Sequence, residues 1–231
     1  MRKLGIIAAM EEELRIIKNR IENKVQVDAA HMSFYTGCIE GQDLVIVQSG
    51  IGKVNAAMAA VILVEKFGVD MIINTGSAGS LTDELEQGDL VVSNQLSYHD
   101  VDATAFGYVM GQVPQMPLYY KSDPELNEKI KEAARKTDWN VVFGEILTSD
   151  SFIADPKAIE KIKDKFSYAL VTEMEGTAIA QVAFQYDLPF TVVRAVSDSA
   201  DGQAAQSFDE FIIEAGRKSA GMVLKYISEG V

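Results

Sequence analysis

Short apolar or β-branched runs recur along the chain at Leu4–Ala9, Leu44–Gln48, Met71–Asn74, Leu90–Ser93, Val141–Leu147, Ala169–Thr172 and Phe190–Val196, and each stops abruptly in small or polar residues. Several lead straight into a helical pattern. That alternation predicts an α/β fold, and seven runs suffice for one large sheet. Helix starts are legible between the runs. Asp123-Pro124 and Asp155-Pro156 each pair an N-capping acid with proline at the first helical position. Ser207 with Glu210 forms a capping box ahead of Phe211, Ile212 and Ile213, predicting a helix that reaches Ile227. Lys53–Phe67 is largely apolar with Ala and Met, as suits a helix pressed onto a sheet, and Gly176–Tyr186 reads as another helix. In open α/β sheets, ligands gather outside the carboxyl ends of the strands. The candidate functional groups are therefore those just after each run: Glu11–Glu13, Ser77, Phe152, Met174, Glu175, Ser197 and Asp198.

Composition narrows the classes of function. The 231 residues are 48% hydrophobic and 24% charged, an ordinary globular make-up. No repeat, low-complexity tract or linker divides them, so residues 1–231 are expected to form a single domain. A net charge of −13 repels phosphate polymers and anionic membrane surfaces, which argues against nucleic-acid and membrane partners. No apolar run approaches the ~18 residues of a spanning helix. Leu4–Met10 runs at once into Glu11, Glu12 and Glu13, unlike a signal peptide, and the single Cys38 has no partner for an internal disulfide. A cytoplasmic location is expected. His31 and His99 belong to no metal-binding pattern, which leaves only a carboxylate Mg²⁺ site open. Both histidines and Cys38 are read as structural.

The glycine motifs fail the usual nucleotide tests. Ser49-Gly-Ile-Gly-Lys-Val has Val47 and Val54 where a phosphate loop needs glycine and Ser or Thr, and Asn55 where the dinucleotide fingerprint needs a small residue. It remains a tight strand-to-helix turn with or without a ligand. Thr75-Gly-Ser-Ala-Gly-Ser is read as a glycine turn at a strand end, where small side chains and free backbone N–H groups let a hydroxyl or anion approach. Among Glu11–Glu13, helical spacing lets one carboxylate face inward while the others face water, and periodicity does not say which. Met174 sits between Glu173 and Glu175, and Arg194 interrupts an apolar run and therefore calls for a buried carboxylate partner. Carboxylates at three strand ends, without metal ligands, suit cleavage of a glycosidic bond: one acid protonates the leaving group and one carboxylate activates water.

These residues also stand together as a pattern: Ala9-Met10-Glu-Glu-Glu13, Ser49-Gly-Ile-Gly-Lys-Val-Asn-Ala56, Ile72-Ile-Asn-Thr-Gly-Ser-Ala-Gly79, Tyr98-His-Asp100, Thr104-Ala-Phe-Gly-Tyr108, Glu173-Met-Glu-Gly176 and Arg194-Ala-Val-Ser-Asp198. In this order the chain closely resembles the bacterial 5′-methylthioadenosine/S-adenosylhomocysteine nucleosidases, within the nucleoside phosphorylase superfamily. The resemblance implies a single α/β domain with a central mixed, twisted sheet flanked by helices. It also implies a homodimer, no cofactor, and irreversible hydrolysis of adenine nucleosides: methylthioadenosine, S-adenosylhomocysteine and 5′-deoxyadenosine. Carried over by position, Glu13 would activate the water, Glu175 would bind the ribose hydroxyls, and Asp198, oriented by Ser197, would protonate purine N7. Phe152 would stack on adenine and the Ile153 backbone would read its edge. Ser77 and Arg194 would line the water and ribose region, with Met174 against the sugar. Met10, Ile51 and Phe208, with Phe106 and Pro114 of the partner subunit, would form the apolar 5′-alkylthio pocket. Ala8, Ser80 and Thr172 depart from the family's usual Gly, Gly and Ala, and Ala103 replaces a commoner valine near the partner-supplied wall.

Three rival readings follow from the same residues. A phosphorylase of the superfamily would need cationic or N–H donors where the first strand instead ends in Glu11–Glu13. A non-catalytic nucleoside sensor would need none of Glu13, Glu175 and Asp198. An NAD-dependent oxidoreductase lacks its glycine fingerprint.

Overall fold

The computed structural model describes residues 2–198 and 204–230, with side chains for 2–198 and 211–230. The strands are β1 (Leu4–Ala8), β2 (Glu22–Ala29), β3 (Met32–Ile39), β4 (Gln42–Gln48), β5 (Met71–Ser80), β6 (Leu90–Tyr98), β7 (Tyr120–Lys121), β8 (Val141–Thr148), β9 (Ala169–Glu173) and β10 (Phe190–Asp198). The helices are α1 (Glu11–Lys18), α2 (Lys53–Phe67), α3 (Pro124–Ala134), α4 (Pro156–Lys165), α5 (Gly176–Gln185) and α6 (Ala204–Ser228), with a 3-10 turn at Thr104–Phe106. The expected α/β class holds, and the sheet is mixed. β1 lies parallel between β4 and β5, and β5 pairs in parallel with β10. From β10 the pairing runs through β6, β8 and β9 and returns to β5. Five strands thus close into a ring, while β1, β4, β3 and β2 extend from it as an open wing.

Alternation along the strands divides most of the core into two clusters, apart from a third, smaller one that gathers Leu147 and Ala169 with Ile159 and Ile162 of α4. Leu4 and Ile6 face one apolar cluster with Leu14 and Ile17 of α1 and Val223 of α6. Ile7 faces the other, with Ala56, Ala60 and Leu63 of α2 and Ile179 of α5. Both predicted proline-led caps form. Asp123 accepts from Leu126 N at 2.9 Å, and Asp155 accepts from Lys157 N at 3.0 Å. No helix of the described residues is long and apolar enough to cross a membrane.

The structure departs from the sequence reading chiefly in three places, and β6 also runs on past Ser93 to Tyr98. β5 does not stop at Asn74 in a glycine turn: it continues through Thr75–Ser80, pairing with β10 and then β9. The β2–β3 hairpin has no counterpart among the predicted runs, because β2 is polar and largely exposed. Its two-residue turn is Ala30-His31, with φ of 49° and 62°, rather than the Asn-Gly that usually marks such a turn. Finally, α6 begins at Ala204, so Ser207 lies within the helix instead of capping it. The side chains of Ser207, Phe208 and Glu210 lie outside the described residues.

Candidate active site

The carboxyl ends of β1, β4, β5, β9 and β10, with the loop after β8, meet around a cavity of about 500 Å³. Nine of the residues expected at the site line it: Met10, Glu13, Ile51, Ser77, Phe152, Met174, Glu175, Ser197 and Asp198. Ile153 lines a small adjoining cavity with Phe152, Met174 and Asp198. Phe152 and Ile51 are 48% and 50% exposed, so apolar surface is presented at the mouth. Phe106, 84% exposed, and Pro114 lie on the surface outside this lining. The Phe208 side chain is outside the described residues.

Periodicity left three acids open at the start of α1, and hydrogen bonding selects one. Glu13 is 1% exposed: its Oε2 accepts from the N–H groups of Ala9 and Met10, both at 3.1 Å. Its Oε1 accepts from Ser77 N and Ser77 Oγ, both at 3.0 Å. Glu11 instead reaches Lys18 at 3.7 Å on the outside. Burial raises the Glu13 pKa, and the Arg194 charge and these hydrogen bonds offset part of that rise.

Arg194 has the carboxylate partner its sequence position required, and more than one. Its Nη2 donates to Glu173 Oε2, to Asn74 Oδ1 at 2.6 Å and to Glu175 Oε2 at 3.4 Å. It lies beneath the cavity wall, 1% exposed, directly over Gly76, where a Cβ would sit 2.0 Å from Nη1. Burial alone would pull its pKa down, but Glu173, Glu175 and Glu13 outweigh it and the net shift is upward. Glu173 is held by Arg194, by the Thr148 hydroxyl and by the N–H groups of Glu175 and Gly176 at the start of α5. Glu175 accepts from Gly52 N at 2.8 Å, and burial pushes its pKa up to about 7 despite Arg194.

Glu173, Asn74, Thr148 and Gly52 were not singled out as site residues. Their signal was indirect: a lone arginine in an apolar strand demands acceptors, Asn74 closes one apolar run, and Glu173 directly follows another. At the third strand end, Ser197 Oγ donates to Asp198 Oδ1 at 2.6 Å. Gly79 leaves room for that carboxylate, since a Cβ there would lie 2.9 Å from Asp198 Oδ2. His99 packs beside the wall with Nε2 3.1 Å from Thr172 Oγ1, and burial lowers its pKa.

Three glutamates and an aspartate on one cavity, at the strand ends of a mixed α/β sheet, are the equipment of a nucleoside-cleaving fold. Residues 3–228 match the Phosphorylase superfamily, and the chain belongs to it. Within that superfamily, the chain is 48% identical over 220 residues to the 5′-methylthioadenosine/S-adenosylhomocysteine nucleosidase of Staphylococcus haemolyticus, covering 95% of this chain and 96% of that one. A solved nucleosidase of the same name from S. pneumoniae, with the transition-state inhibitor MT-ImmA, is 47% identical, with a TM-score of 0.94 over 97% of this chain and 98% of that one. The Neisseria meningitidis nucleosidase in complex with methylthio-immucillin-A is 42% identical, with a TM-score of 0.97 over 99% and 100%.

Proposed function

We propose that this chain hydrolyses the N-glycosidic bond of 5′-methylthioadenosine, S-adenosylhomocysteine and 5′-deoxyadenosine in methionine salvage and the recycling of S-adenosylmethionine by-products. Adenine leaves, and water gives the 5-thioribose or 5-deoxyribose. The observation that carries this reading is that Glu13, Glu175 and Asp198 converge on one cavity. Asp198 donates a proton to purine N7, so the base departs neutral as the C1′–N9 bond breaks. Positive charge then builds on the ribosyl ring, next to the Glu13 and Glu175 carboxylates, where it is stabilised more in the transition state than in the ground state. Glu13 takes the proton of the attacking water, and Glu175 accepts from the ribose hydroxyls. Phe152 stacks on adenine, Ile153 reads its edge through the backbone, Met174 packs on the sugar, and Met10, Ile51 and Phe208 receive the 5′ substituent.

The working unit in this reading is a cytoplasmic homodimer of single-domain subunits. Phe106 and Pro114, exposed on one subunit, complete the partner's alkylthio pocket. The cavity lining has no lysine or arginine among the described residues, which supports water rather than phosphate as the acceptor. The test is adenine release from methylthioadenosine in phosphate-free buffer, repeated with phosphate. Release that is unchanged by phosphate and yields methylthioribose is expected. Release only with phosphate, yielding a sugar 1-phosphate, identifies a phosphorylase, and binding without release identifies a sensor.

A further inference from the structure

Helix α2 starts without a cap of its own. Its N-cap is Gly52 at φ 97°, and its first turn carries no acid. Distant carboxylates take the free N–H groups. Glu175 accepts from Gly52 N at 2.8 Å, and Asp150, on the loop after β8, accepts from Lys53 N at 2.9 Å. The Lys53 side chain returns to the same loop. Its Nζ reaches Asp100 at 2.8 and 3.0 Å and Asp150 Oδ2 at 3.5 Å, while Asp150 N donates to Asp100 Oδ2 at 3.1 Å. Three segments distant in sequence are tied here: the end of β6, the turn that opens α2, and the loop that carries Phe152.

We propose that Asp150, Lys53 and Asp100 form a clasp of positioning residues that holds the Gly50–Lys53 turn against the base-stacking loop and thereby fixes Glu175 for the ribose. None of the three lines the cavity. They act through Gly52, whose N–H fixes one Glu175 oxygen while Arg194 approaches the other. The ion pairs alone would do little, since Asp150 is 54% exposed and such pairs are screened by solvent. The larger part is the carboxylate on the helix N-terminus, which satisfies a backbone donor and meets the positive end of the dipole. The turn also places Ile51, and the loop places Phe152, so one clasp sets both apolar lips of the cavity.

The kinetic consequence rests on the proposed nucleoside hydrolysis, whereas the clasp itself is read out independently of turnover. Hydrogen exchange resolved to single amides would be measured on the full chain and on Asp150→Ala and Asp150→Asn, alongside adenine release from methylthioadenosine. In Asp150→Ala, the Gly52 amide as well as that of Lys53 is expected to exchange about fivefold faster, the size of a lost cap. KM should rise by a similar factor as the ribose grip weakens, and kcat should fall as well, because Glu175 also faces the charge that builds on the ribosyl ring. Asparagine keeps an acceptor for Lys53 N and should restore both. Unchanged Gly52 exchange, an unchanged KM, or failure of Asp150→Asn to rescue would each overturn the clasp. Should Asp150→Ala not fold, Lys53→Met removes only the ionic part and is expected to speed Gly52 exchange about twofold; no change there overturns the proposal. A parent chain that releases no adenine overturns the proposed function instead, and the exchange data still decide the clasp.

Discussion

Removing the Arg194 charge tests the electrostatics of the whole site. Arg194→Met keeps a long apolar stem and deletes the guanidinium, which is 1% exposed and bound to Glu173, Glu175 and Asn74. Glu13, Glu173 and Glu175, all 6% exposed or less, would then share the interior with no cation beside them. Breaking a buried ion pair by removing one partner costs about 3–5 kcal/mol, because the other charge stays buried. Against a total stability on the order of 5–15 kcal/mol, that is a large share. At roughly 2–4 °C per kcal/mol for a chain of this size, the melting temperature should fall by about 6–20 °C.

The loss should also depend on pH, with a definite sign. Glu13 and Glu175 already have raised pKa values, Glu175 to about 7, and deleting Arg194 removes a contribution that lowers both. A carboxyl with a raised folded-state pKa keeps its stability below the unfolded value and loses it as pH rises through the folded value. The gap between parent and variant should therefore be small near pH 5 and widen through pH 7 to 8. Urea unfolding at these pH values measures it. A loss under 1 kcal/mol at pH 8, or an equal loss at pH 5 and pH 8, would refute the view that Arg194 is there to hold buried carboxylates ionised.

Asp198→Asn keeps the shape and the Ser197 hydrogen bond but not the acid, so kcat for adenine release should fall by ~10²–10⁴-fold with nucleoside binding retained; near-full turnover removes Asp198 from the role of general acid. Gly76→Ala puts a methyl 2.0 Å from Arg194 Nη1 and 3.0 Å from Glu13 Oε1, so thermal melting should show a cost of about 1–3 kcal/mol and activity should drop with it. Glu145, 7% exposed, has hydrogen bonds from Gln95 and Ser97, no cation within salt-bridge distance among the described residues, and a pKa raised by burial. Its contribution is lost as pH rises through that pKa, so in urea unfolding Glu145→Gln should stabilise the chain at pH 8 and have little effect at pH 4.

Elements whose local chemistry agrees with their tertiary role were legible. Lys53–Phe67 reads as a helix and is one with the same limits, and both Asp-Pro starts form caps as their residues dictate. The illegible parts are those where tertiary demand overrides a local signal. Thr75–Ser80 reads as a turn because it is small and glycine-rich, yet it is the end of a central strand. The small residues answer a steric need, because Arg194 occupies the space above Gly76 and Asp198 that above Gly79. The β2–β3 hairpin turns at Ala30-His31, residues that carry no turn signature, and its outer strand alternates only Val25, Val27 and Ala29 with polar residues, a weaker signal than the continuous apolar runs of the central strands.

The site follows the same division, and its charge count explains why. That Arg194 needs a carboxylate follows from its own sequence surroundings, whereas the choice of Glu173 over Glu175 as its tighter partner depends on how β9 and β10 face each other across the ring. The choice of Glu13 among three acids likewise depends on Ser77, 64 residues away. Three buried carboxylates thus share one guanidinium, Glu173 and Glu175 bonded to it and Glu13 near enough to feel its charge. That imbalance is unfavourable at rest, and burial raises the pKa of Glu13 and Glu175 accordingly. In the proposed hydrolysis it becomes favourable as positive charge builds on the ribosyl ring, because the missing positive charge is then supplied by the reaction itself. A fold optimised only for stability would pair each buried acid or replace it. Under the proposed hydrolysis, the surplus of negative charge is stability given up so that the site is complementary to a cation it holds only during bond cleavage.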